Sequence, residues 1–129
     1  MGRERILIDT TLLIDHLRKK NKADTAFFKT AEKFDCCISS ITEFEFIVGR
    51  NEKNSLFIDA LLKNLPVLPF DSSCVAIASE IYIDLKSKNH LIPAPDIFIA
   101  ATAIKNEMHL ATLNREHFSR VKHLKLASI

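Results

Sequence analysis

The sequence predicts a three-layer α/β/α sandwich, with helices on both faces of a short, largely parallel central sheet. Two observations predict it. Short apolar runs alternate with longer helical patterns from one end of the 129-residue chain to the other, as strand–helix–strand units require. A hydrophobic content of 47% is also ample for a continuous core without disulfides at this length. No repeat, low-complexity tract or linker interrupts the alternation, so residues 1–129 are read as a single domain.

Ile6 to Ile8 reads as a first buried strand, closed by Asp9. A helix follows from about Thr11 to Arg18, with Leu13, Ile14 and Leu17 facing inward. Asn21 to Phe34 is a second helix, because Ala23, Phe27, Ala31 and Phe34 recur at near-helical intervals and Asn21 or Asp24 can cap it. Cys36, Cys37 and Ile38 form a short buried strand. Ser39 or Ser40 begins a third helix that stops at Gly49, and Asn51 to Leu62 makes a fourth before Pro66 breaks the pattern. Val67 to Pro69 is a strand, and Asp71 to roughly Lys88 a long helix with an Asp-Ser-Ser start. Asn89 to Pro95 is a loop, with Pro95 suited to the first helical position of an amphipathic helix running from Asp96 to Glu107. His109 to Ala111 and Leu124 to Leu126 read as strands.

Composition narrows the function classes. Eighteen Lys and Arg against sixteen Asp and Glu give a net charge of +2, too small to announce a nucleic-acid partner by itself. Three cysteines, two of them adjacent, make no paired framework and behave as small buried hydrophobes, which suits a reducing cytoplasm. No run approaches the roughly 18 apolar residues of a membrane span, and Met-Gly-Arg-Glu-Arg does not open a secretory signal. A soluble, cytoplasmic protein with no membrane partner is expected.

Three acids stand out because each lies where apolar structure begins or is already running. Asp9 ends the first strand, Glu45 sits within the third helix, and Asp96 opens the sixth. Carboxylates are costly to bury without compensation, and in parallel sheets functional groups gather at the carboxyl ends of strands, so a shared hard cation such as Mg²⁺ or Mn²⁺ accounts for all three. Each also has a plainer reading: Asp9 as a cap, Asp96 as a partner of the helix dipole, and either Glu43 or Glu45 as the closing glutamate of a Ser/Thr-x-x-Glu capping box. Spacing leaves these alternatives open. The histidines match no zinc pattern with the cysteines and are read as surface, packing or substrate-facing residues. A haloacid-dehalogenase-like phosphatase would need an acid where Thr11 stands, and a receiver-like phosphoacceptor would need paired acids, whereas Asp9 stands alone.

Four segments, in order, carry a resemblance. Ile-Leu-Ile-Asp-Thr-Thr-Leu-Leu-Ile-Asp-His-Leu-Arg begins at Ile6, and Ser-x-Ile-Thr-x-x-Glu-x-x-x-Gly ends at Gly49. Ile-Pro-x-x-Asp-x-x-Ile-Ala-Ala-x-Ala begins at Ile92, and Ala-Thr-Leu-Asn-Arg-Glu-His-Phe at Ala111. Together they resemble the successive motifs of PIN-domain proteins, most closely the VapC-type toxins of bacterial toxin–antitoxin systems. The resemblance implies a PIN-like sandwich and a Mg²⁺- or Mn²⁺-dependent endoribonuclease acting on RNA, tRNA among the structured candidates. It implies that Asp9, Glu45 and Asp96 are catalytic and bind the metal, since Glu45 stands three residues after the Thr and four before the Gly. Thr11 and Asn114 are supporting residues. Many members have an Asp where His117 stands, which leaves Glu116 as the nearby carboxylate. The same likeness implies a homodimer and a VapB-type antitoxin that blocks the acidic cleft. The apolar segments with Phe44, Phe46, Ile47, Phe57, Ile58, Leu61 and Leu62 offer side chains for an interface, with core packing the expected use of most of them. Arg18 and Lys19 after the first helix, and Arg115 and Arg120 near the last motif, are the candidate RNA-binding cations. A noncatalytic RNA- or protein-binding module is the alternative function.

Overall fold

The computed structural model describes residues 2–129. Four strands form one sheet in the order β3-β2-β1-β4: β1 (Arg5–Ile8), β2 (Asp35–Ser39), β3 (Val67–Leu68) and β4 (Leu110–Ala111). Every pairing is parallel, with Leu7 opposite Cys37 on one side and Leu110 on the other. β1 therefore has neighbours on both edges and helices on both faces. This is why it reads as an unbroken apolar run rather than an alternating one.

The period of two sorts its side chains between layers. Leu7 and Cys37 join a core with α5 (Ser72–Ser87) and α6 (Ala94–Lys105), including Ile81, Leu85, Ile97 and Ala101. Ile6, Ile8 and Ile38 point the other way, against Leu12 and Leu13 of α1 (Thr10–Arg18), Phe27 of α2 (Ala26–Ala31), Phe46 of α3 (Ser40–Val48) and Ile58 of α4 (Ser55–Lys63). Helices on two faces of a parallel sheet give the expected three layers. The three cysteines are unpaired, and burial pushes the Cys36 thiol up to about 11.

Several boundaries differ from the sequence expectation. The segment Asn21–Phe34 is not one helix. Asn21 caps a 3₁₀ turn at Lys22–Asp24, then Thr25 turns extended and caps α2 by accepting the Phe28 N–H at 3.1 Å. Two good caps four residues apart break a helix that its apolar spacing would continue. Likewise, the Asn51 and Asn54 side chains bond each other's backbone N–H groups, so α4 begins at Ser55 instead of Asn51. Helix α6 starts at Ala94, which makes Pro95 the second and Asp96 the third helical residue. Leu124–Leu126 is no strand: Leu126 makes one isolated parallel bridge to Leu110. A short helix α7 (Arg115–Phe118), absent from the sequence expectation, follows β4.

The strand order places the functional rim. The chain moves from β1 to β2 to β3 in one direction, then crosses back to put β4 on the far side of β1. Open parallel sheets bind ligands beside such a reversal, at the carboxyl ends of the strands. Asp9 follows β1 there, and Thr112 follows β4.

Candidate active site

Asp9 occupies the N-cap position of α1, yet its carboxylate makes no capping bond. Its backbone N–H donates to the Ala111 carbonyl at 2.9 Å, which ties it to the end of β4. The side chain, only 2% exposed, is held by two hydroxyls: Thr11 and Thr112 each donate to Oδ2 at 2.7 Å. These bonds offset part of the cost of burying a charge and fix the carboxylate's direction. The cap reading of Asp9 is thereby corrected.

Glu45 lies past the first turn of α3. Ser39 caps that helix by accepting the Thr42 N–H at 3.1 Å, so neither capping box forms through Glu45, and Glu43 makes no capping bond among the described residues. Glu45 instead accepts a hydrogen bond from Thr10 at Oε1, 2.8 Å away, and the Thr10 hydroxyl also lies 3.0 Å from that of Thr42. Adjacent threonines after β1 thus serve different acids, Thr10 reaching Glu45 and Thr11 reaching Asp9.

Asp96 stands in the first turn of α6, where the helix dipole favours negative charge. Its side chain keeps 20% of its exposure, and Oδ2 lies 2.9 Å from His117 Nδ1. Burial raises its pKa above the ordinary carboxylate value, the His117 hydrogen bond pulls it back, and the nearby Asp9 charge raises it further. The ring nitrogen is also 2.8 Å from the Asn114 amide nitrogen. With a proton on Nδ1 the ring donates to Asp96, and rotation of the Asn114 amide brings its oxygen to the same point.

The structure thus joins Asp9, Thr11, Asn114 and Asp96 through a chain of hydrogen bonds and brings Glu45 to Thr10, the neighbour of Asp9. It adds three residues that the sequence did not single out as site members: Thr10, Thr112 and His117. Their signals were present, since Thr10 adjoins Asp9, Thr112 follows an apolar run as Asp9 does, and His117 stands one helical turn beyond Asn114. The sequence alone suggests a surface, packing or substrate-facing role for His117, whereas the fold turns its ring toward Asp96. The packing description fits His16, which is buried between Phe27 and Phe57 and lies 2.7 Å from the Thr25 hydroxyl.

The remaining candidates sit outside this group. Glu116 is 84% exposed and pairs with Arg120 at 3.6 Å, so it is not part of the acidic rim. Arg115 donates to the Ala127 carbonyl at 2.9 Å, and Arg120 donates to the Leu91 carbonyl at 3.2 Å, so both guanidinium groups fasten the fold. Lys19 pairs with Asp15 at 3.3 Å, while Arg18 is exposed.

The donors at the rim are carboxylate and hydroxyl oxygens with one imidazole nitrogen. This chemistry fits a hard divalent ion such as Mg²⁺, which keeps several waters and takes one or two protein carboxylates. Among the described residues, no three His, Cys, Asp or Glu side chains converge tightly enough to enclose an ion by themselves.

Comparison with known proteins agrees with this geometry. A family model for the PIN domain matches residues 6–124. Ribonuclease VapC1 of Methanocaldococcus jannaschii is 34% identical over 119 residues, covering 92% of this chain and 82% of that protein. Ribonuclease VapC2 of Rickettsia felis is 26% identical over 127 residues, covering 92% of each. The crystal structure of VapBC2 from Rickettsia felis, bound to a DNA fragment from their promoter, superposes with a TM-score of 0.84 at 25% identity over 95% of this chain and 97% of that one. A family match that takes in the strands, helices and all three acids of the rim means that this chain belongs to the PIN-domain family, beside relatives named ribonuclease VapC.

Proposed function

We propose that this single-domain protein is an endoribonuclease of the VapC kind, which hydrolyses phosphodiester bonds in RNA with the help of Mg²⁺ or Mn²⁺. The observation that carries the reading is the hydroxyl-braced rim, where half-buried Asp96 faces the Asp9 charge at the switch point of the sheet. Asp9, Asp96 and Glu45 would hold the ion in this reading. When bound, the ion lowers the pKa of a water and neutralises charge that develops on the phosphoryl oxygens.

The chain's own residues then have separate tasks. Thr11 and Thr112 keep Asp9 aimed across the rim, and Thr10 holds Glu45. The Asp96 carboxylate is oriented by the His117 ring, itself steadied by Asn114. Structured RNA, tRNA included, is the substrate class, and the cytoplasm is the compartment where it would be met.

A VapB-type antitoxin is the proposed partner, supported by relatives crystallised as VapBC complexes. An arginine inserted among the carboxylates would replace the metal's charge. Full inhibition by an antitoxin whose tail cannot reach the rim would defeat that idea. Exposed apolar side chains support interfaces with this partner and with a second copy in a homodimer: Phe44, Ile47 and Val48 on α3, and Tyr82 and Ile83 on α5. Phe46 and Ile58, from the same apolar segments, belong to the core.

Cleavage of a pool of small RNAs with Mg²⁺ or Mn²⁺ tests the proposal. Cuts are expected that vanish with EDTA and fall at least about 100-fold in Asp96→Asn. RNA bound without any metal-dependent cut would favour the noncatalytic module.

A further inference from the structure

Away from the carboxylates, one cavity joins basic side chains to apolar ones. It measures about 340 Å³ and lies between the end of α1, α2 and the last residues of the chain. Lys19, Lys29 and Lys33 edge it, and Phe34, Leu113 and Ile129 contribute its apolar lining. Lys29 and Lys33 are exposed and four residues apart, a spacing at which like charges on a helical turn oppose each other. Neither ammonium has an ion pair among the described residues. Asp24, the acidic side chain in the lining, is already engaged by the Asn21 amide at 3.0 Å.

Leu113, which lines the cavity, is tied by its backbone to the rim. The Leu113 N–H donates to the Thr11 hydroxyl at 3.0 Å, and that hydroxyl donates to Asp9. Leu113 itself is 50% exposed although it stands between two rim residues, Thr112 and Asn114. A solvated lysine face needs no apolar hollow beneath it. A nucleotide uses both parts, since its phosphate takes cations and its base takes an apolar or aromatic floor.

We infer that this cavity is a nucleotide subsite: the RNA strand runs from the carboxylate rim across Leu113, sets phosphates on Lys29 and Lys33, and rests a base on Phe34, Leu113 and Ile129. The inference rests on the ribonuclease reading given above. An acidic peptide would satisfy the lysines, but it has no reason to continue to the rim.

The test measures binding of a short fluorescein-labelled single-stranded RNA to Asp96→Asn protein over a range of salt concentrations. It compares that protein with the same chain carrying Lys29→Glu and Lys33→Glu. A second pair, Lys29→Gln and Lys33→Gln, removes charge without reversing it, and Lys53→Glu with Lys63→Glu makes an equal change on exposed residues away from the cavity. The expected result is a weaker Kd in both cavity pairs, with the slope of log Kd against log salt reduced by about 0.7 for each lost contact. The Lys53 and Lys63 pair should keep the parent slope. Equal slopes in all the proteins would overturn the subsite while leaving the ribonuclease reading intact. RNA binding by none of them would overturn the subsite, while the ribonuclease reading is decided by the cleavage assay above.

Discussion

At the scale of single residues, hydroxyls decide how the acids are used. Thr112 illustrates this, since it donates to Asp9 and also accepts the Asn114 N–H at 2.9 Å. Thr112→Val keeps the volume and removes both bonds in a fully buried place, so urea unfolding should show a loss of about 1–3 kcal/mol, accompanied by reduced cleavage. Asp96→Asn should behave oppositely in the metal-free protein. Because burial raises the folded pKa of Asp96, the folded state binds its proton more tightly than the unfolded one. The cost of ionising it is absent below the ordinary carboxylate pKa, grows as the pH rises through the raised folded value, and is complete above it. Calorimetry should therefore find Asp96→Asn as stable as the parent chain in acid and more stable, by a few degrees, near neutrality. Unfolding of this variant would instead make Asp96 a structural residue.

At the scale of elements, helix ends and joints carry the next predictions. Helix α6 ends with Glu107 at a φ of 55°, with the Met108 N–H donating to the Ala103 carbonyl and the Glu107 N–H to that of Ile104. This is a Schellman ending with a bulky residue where glycine fits best, and Glu107→Gly should raise stability by about 0.5–1 kcal/mol in urea unfolding. The joint of α1 with α2 rests on His16 and on Lys22, whose ammonium donates to the carbonyls of His16, Leu17 and Lys19. Desolvation, then the nearby Lys22 charge, lowers the pKa of His16 in the folded protein. The unfolded chain therefore takes up that proton first. The contribution of His16 to stability is complete above its ordinary pKa of about 6.5 and is lost as the pH falls through the lowered folded value. Stability measured between pH 7.5 and 5 should fall, and His16→Phe should flatten the part of that fall due to this ring.

At the scale of the molecule, the sheet order creates a site that neither β1 nor β4 has alone. Binding of Mn²⁺ to this rim should raise the thermal midpoint, by the equivalent of about 2.7 kcal/mol at one hundred times Kd. The gain should be lost in Asp96→Asn, while Lys53→Glu should retain it. A midpoint indifferent to Mn²⁺ in the parent chain would remove the ion from the proposed reaction.

The sequence by itself determined the alternation of strands and helices, the buried runs and the three acids, because periodicity and the cost of burying charge are local properties of the chain. It also held the ordered motifs that place the chain in its family. Helix starts were less legible: Thr25, Asn51 and Asn54 compete with apolar periodicity through side-chain bonds to the backbone, and spacing alone does not say which wins. Only the tertiary structure decided that Arg115 and Arg120 bind carbonyls, that Glu116 stays in solvent, and that His117 meets Asp96. It also brought Thr112 to Asp9, 103 residues away, and grouped Lys29 with Leu113 at one cavity. The physical reason is the same throughout, since a side chain's partner is set by how strands and helices stack, and residues distant in sequence become neighbours only when the parallel sheet forms.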